Sequence, residues 1–87
     1  MNVEFNDKAL EELFLYGVTN DKRYNRLPKA IIKRYVKVVN YLRAARRIED
    51  KEAVWINDQY RLIFQSSTDS TGIIVDALLL EISKHYE

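Results

Sequence analysis

The 87-residue chain has no cysteine, one histidine, one proline and two glycines. Without cysteine there is no disulfide and no thiolate metal site, a usage that suits a reducing compartment. His85 is the only histidine, so no second imidazole can share a metal with it. So few Gly and Pro, with an ordinary apolar share, exclude a low-complexity or disordered chain. No apolar run approaches the ~20 residues of a membrane span. Met1 does not lead into a basic segment followed by an apolar run, so no signal peptide is expected. These features predict a soluble, cytoplasmic protein. The serine nucleophile elbow, the Walker loop, other Gly-rich phosphate cradles and the HExxH zinc helix are all missing. No cofactor is expected.

A chain of this length supports one domain with a small core. Its net charge is +1, but ten of the fourteen Lys and Arg residues lie between Lys22 and Arg47, with no acid among them. Such a segment suits phosphate, or an acidic protein. Its plainest account is a solvated helix face.

Asn2–Phe5 reads as a short strand with Val3 and Phe5 on one side. Asn6 or Asp7 can cap a following helix, KALEELFLY, with Leu10, Leu13 and Phe14 on one face. Gly17 is a suitable stop. Residues 18–27 are polar and turn-rich, and Pro28 fits the first turn of a second helix. There Ile31, Ile32, Tyr35, Val38, Val39, Leu42, Ala45 and Ile48 recur at helical spacing, while Lys29, Lys33 and Lys37 line another face. The pattern runs to about Glu49, roughly 30 Å of helix, and meets a strand near Glu52 with no C-capping residue between. Residues 67–72 read as a loop and 73–82 as a buried strand interrupted by Asp76. The order β-α-α-β-β-β predicts an α+β domain: a small antiparallel sheet with both helices on one face.

The stretch EAVWINDQYRLIFQ, residues 52–65, reads as two strands, Glu52–Ile56 and Gln59–Gln65, joined by a two-residue turn at Asn57-Asp58. That turn pairs Trp55 with Tyr60, Val54 with Arg61 and Ala53 with Leu62. It places Trp55, Tyr60, Leu62 and Phe64 on a core face, and Arg61 among Val54, Ile56 and Ile63 on the other. An arginine there is unusual unless its head reaches water or a partner. Asp76 or a structural role would account for it simply. The ending SKHYE brings Lys84, His85 and Tyr86 together; His85 alone is most simply a solvated terminal side chain. If strand alternation persists, Lys84 and Tyr86 share one face, opposite His85. Arg, Lys, His and Tyr on one sheet face form a workable set for cutting RNA without metal. The 2′-hydroxyl attacks phosphorus, a base takes its proton, a cation stabilises the phosphate and an acid protonates the leaving oxygen.

The chain resembles the HigB-like plasmid maintenance system killer toxins of the RelE/ParE superfamily over nearly its whole length. FNDKALEELFLYG, LPK, LRAARRIED, VWINDQYRLIF and VDALLLEISKHY carry the resemblance. It implies a compact antiparallel sheet with two N-terminal helices, and a toxin of a type II toxin-antitoxin system that cleaves mRNA in the ribosomal A site. Its partners would be the ribosome, mRNA and a cognate helix-turn-helix antitoxin (HigA-like), through which alone it would meet operator DNA. Arg61 matches the family's phosphate-stabilising sheet arginine and His85 its terminal histidine. Ser83 and Lys84 stand where Asp and Tyr are usual, and Tyr86 follows the histidine, so the acid and base remain open among His85, Lys84 and Tyr86. RNA contacts are expected at Lys29, Lys33, Lys37 and Lys51. The family pattern holds a further strand and basic turn between Asp50 and Lys51 that this sequence lacks. The other readings of the same fold are a ParE-like gyrase poison and a non-catalytic module that binds an antitoxin.

Overall fold

The structure, a computed structural model, describes residues 1–45 and 53–84. The expected α+β architecture is present: strand β1 (Asn2–Phe5), helices α1 (Lys8–Tyr16) and α2 (Lys29–Ala44), and strands β2 (Ala53–Trp55), β3 (Tyr60–Thr68) and β4 (Ile74–Lys84). They form one four-stranded sheet in the order β1-β4-β3-β2. The two pairs made by β2, β3 and β4 are antiparallel as expected, but β1 lies parallel to β4, with Asn2 opposite Asp76 and Phe5 opposite Leu79. The sheet is therefore mixed. A parallel neighbour needs a crossover connection, and most of the chain, including both helices, lies between β1 and β4.

The helices cover one face of the sheet. Leu10 and Leu13 of α1, Tyr35, Val39 and Leu42 of α2, and Leu62, Phe64 and Leu79 of the sheet are fully buried in one cluster. Asp7 caps α1 by accepting from the Leu10 amide at 3.0 Å. Gly17 ends it with φ 74°, a left-handed conformation that costs glycine no Cβ clash. The Tyr35 hydroxyl donates to the Leu10 carbonyl at 2.9 Å, tying α2 to α1.

Helix α2 ends earlier than the sequence pattern suggests. Ala45 is extended (ψ 143°), and residues 46–49 lie outside the described residues. The Met1 ammonium donates to the carbonyls of Arg43 and Ala45 at 2.9 and 3.0 Å. Those carbonyls would otherwise accept from the next helical turn, and a cation at a helix C-terminus is favourable.

The β2–β3 hairpin differs from expectation by one residue. Ile56 donates its amide to the Tyr60 carbonyl at 2.8 Å, so the loop is Asn57-Asp58-Gln59. Asn57 Oδ1 closes that loop by accepting from the amides of Gln59 and Tyr60, both at 2.8 Å. The pairs become Trp55–Arg61, Val54–Leu62 and Ala53–Ile63. A slip of one residue reverses a strand's faces. Val54 and Ile56 thus join the core, and Trp55, 52% exposed, turns to the open face beside Arg61.

β3 runs on to Thr68 and β4 to Lys84, shortening the expected loop to residues 69–73. Asp76 accepts from the Asn2 side chain at 3.1 Å rather than pairing with Arg61 or a lysine. Where β1 stops, the loop after α1 takes over the edge of β4: the buried Tyr24 hydroxyl accepts from the Ile82 amide at 3.3 Å. Burial raises the phenols of Tyr24 and Tyr35 above the usual tyrosine value. No described helix is long and apolar enough to cross a membrane.

Candidate nucleic-acid interface

Polar sequence between Gly17 and Pro28 makes a loop, and contacts to the carboxylates of Asp7 and Asp21 give it shape. Arg23 bridges Asp7 at 3.1 Å and Asp21 at 3.0 Å. The hydrogen bonds from Arg23 lower the Asp21 carboxyl, and those carboxylates raise the already high guanidinium value. The guanidinium also lies 4.9 Å above the Tyr24 ring. Arg23 is thus largely neutralised within the protein.

Between this loop and the end of the sheet is a cleft of about 320 Å³, lined by Arg23, Tyr24, Arg26, Leu27, Tyr60, Ile82 and Lys84. Arg26 is exposed there. Lys84 lies opposite Tyr60 in the register, with its Nζ 5.9 Å from the ring centroid. The cleft therefore offers cations for phosphate and an aromatic surface for a base.

Leu27 leads from the cleft into α2, which carries Lys29, Lys33, Arg34, Lys37 and Arg43 and no acid. Lys29, Lys33 and Lys37 are exposed and rise about 6 Å from one to the next. Lys29 occupies the first turn, where the helix dipole disfavours a cation. The three lysines thus set like charges along one line of a helix that holds no acid.

Arg61 is on the other side of the sheet. It pairs with Ser83, and its guanidinium lies 5.4 Å from the Trp55 ring centroid. Its Nε is buried without a hydrogen-bond acceptor. Arg61 and Lys84 thus occupy successive register positions but opposite faces, so the expected single-faced catalytic set does not form from them. His85, Tyr86 and Lys51 lie outside the described residues.

Arg26, Tyr60 and Trp55 escape the sequence reading. Trp55 reads as core because a two-residue turn puts it on that face; Tyr60 does pack against the core, and only its place in the cleft beside Lys84 goes unread. Arg26 had a signal in the acid-free segment around it. Compared with models of known families, with curated proteins and with solved structures, the chain matches none.

Proposed function

We propose that the chain is the toxin of a type II toxin-antitoxin system, a cytoplasmic, metal-independent endoribonuclease that cuts mRNA on the ribosome. The observation that carries this reading is the cationic cleft of Arg26, Lys84 and Tyr60, continuous through Leu27 with the acid-free face of α2. The sequence resemblance supplies the reaction. Lys29, Lys33 and Lys37 hold the folded RNA backbone, and Lys51 is assigned to the same task. The mRNA enters as a single strand, with a base against Tyr60 and a phosphate near Lys84.

In the reaction the 2′-oxygen forms a bond to phosphorus as the bond to the 5′-oxygen breaks. A base takes the hydroxyl proton and an acid returns one to the leaving oxygen. His85 suits proton transfer because imidazole titrates near pH 6.5; Tyr86 can donate a proton, and Lys84 contributes charge. The resemblance assigns the phosphate that bears the developing negative charge to Arg61, which lies across the sheet from Lys84, so in this scheme the RNA passes round the end of the sheet to meet both. A helix-turn-helix antitoxin neutralises the toxin and carries it to operator DNA.

The placement of Arg61 and Lys84 on opposite faces favours a second reading, a toxin-fold module that binds an antitoxin without catalysis. The deciding experiment is mRNA integrity in a ribosome-programmed translation extract with added protein. Cleaved mRNA, lost in Arg61→Ala, supports the nuclease. Intact mRNA with normal translation supports the module, and intact mRNA with damaged DNA in cells supports a gyrase poison.

A further inference from the structure

Strand β1 is an edge of the sheet, joined to the rest only through β4. The Asn6 amide donates to the Leu79 carbonyl at 2.9 Å. Backbone groups alternate sides along a strand, so Glu4 and Asn2 also face β4, and the N–H and C=O groups of Val3 and Phe5 face outward. Among the described strands β1 pairs with β4 alone, so those four outward groups have no ladder partner. Backbone polar groups normally find partners.

The outward edge borders a groove of about 660 Å³ between β1, α1 and α2. Its lining includes Val3, Phe5 and Phe14, with Glu11 on α1 and Arg43 on α2. The Phe5 and Phe14 rings are 5.6 Å apart and tilted at 35°. The Arg43 guanidinium lies 5.7 Å from the Phe14 ring centroid. The side chains of Val3 and Phe5 pack toward the core, and that of Glu4 is exposed on the opposite face.

We propose that this edge and groove receive an extended segment of a partner protein as a fifth strand, with a basic residue between two apolar ones. Two hydrogen-bonded positions of the incoming strand meet Val3 and Phe5, and their apolar side chains enter the groove over the phenylalanine rings. The residue between them faces Glu4 at the shorter spacing of a non-hydrogen-bonded pair, where a cation is favoured and an acid is not. A second copy of this chain fits badly for the same reason. The antiparallel register that satisfies both Val3 and Phe5 sets Glu4 against Glu4. The inference goes beyond the nuclease reading and does not need it, because β1 is the edge remote from β2 and the Arg61–Trp55 pair.

The test uses the full chain, labelled with ¹⁵N, and a disulfide-cyclised hairpin peptide whose free edge reads Val-Lys-Val. A twin peptide reads Val-Glu-Val. The lysine peptide is expected to shift the amide signals of Val3 and Phe5, slow their exchange, and bind about tenfold more tightly than its twin. In Glu4→Lys, an exposed substitution, the preference inverts. Val3 and Phe5 signals unmoved by either peptide at about 1 mM, a concentration that detects binding of roughly 4 kcal/mol, would overturn the proposal. Equal binding of the two peptides would do the same. Protection of both amides in a concentration-dependent dimer would assign the edge to a second copy instead. Loss of mRNA cleavage in Arg61→Ala would leave all these outcomes unchanged.

Discussion

At the scale of single residues, Arg61 is a side chain that stability alone does not explain. Its Nε is buried without an acceptor, which costs about 1–3 kcal/mol in a folded protein. Its stacking on Trp55 returns about 0.5–1 kcal/mol at a site of this exposure. Arg61→Ala should therefore leave the urea midpoint unchanged or raise it, while on the nuclease reading mRNA cleavage falls by about 10²–10³. A large loss of stability would make Arg61 structural instead. Tyr35 presents the opposite case, fully buried with its hydroxyl on the Leu10 carbonyl. Tyr35→Phe should cost about 1 kcal/mol in urea unfolding, with no change in cleavage. Burial holds the Tyr35 phenol above its ordinary value of 10.0. The folded state thus keeps a proton that the unfolded state loses, and stability is full below about pH 10 and falls as pH rises past it. Alkaline unfolding should follow that onset, and in Tyr35→Phe the decline above pH 10 should be shallower.

At the scale of elements, the proposed function makes α2 a place where stability and RNA binding oppose each other. Lys29 sits in the first turn with no acid beside it. Lys29→Glu should stabilise the fold by about 0.3–1 kcal/mol and weaken RNA binding, two changes of opposite sign measured on one variant. Helix α1 was fully legible in the sequence because Asp7, the Leu10–Leu13 stripe and Gly17 each act locally. The end of α2 was not, because a distant group, the Met1 ammonium, occupies its last carbonyls. The hairpin failed for a subtler reason. Asn57 tolerates a tight turn, yet its side chain instead closes a three-residue loop, and one extra residue exchanges the partners and faces of Trp55 and Val54. Arg61 is recognisable as anomalous in the sequence; its separation from Lys84 depends on the β3–β4 register, which shifts between Ile63 and Phe64 and between Ser67 and Thr68.

At the scale of the whole molecule, the positive band from Arg26 to Lys37 should act through counterion release. Binding to a single-stranded RNA should weaken with salt at a slope of about −0.7 per phosphate engaged. Replacing Lys29, Lys33 and Lys37 together with Gln should reduce that slope by about 2, and an unchanged slope would place the RNA elsewhere. The mixed sheet was the least legible feature, since neither composition nor periodicity reports whether β1 lies along or against β4. That parallel contact has a bearing on synthesis. Asn2 and Asp76 are 74 positions apart, so β1 waits for its partner until those residues have been made. At ~5–20 residues per second, this is a delay of several seconds during which the β1–β4 pair cannot form. Emergence of β4 is therefore the step that admits closure of the sheet, and a chain interrupted before residue 76 would leave β1 without its neighbour.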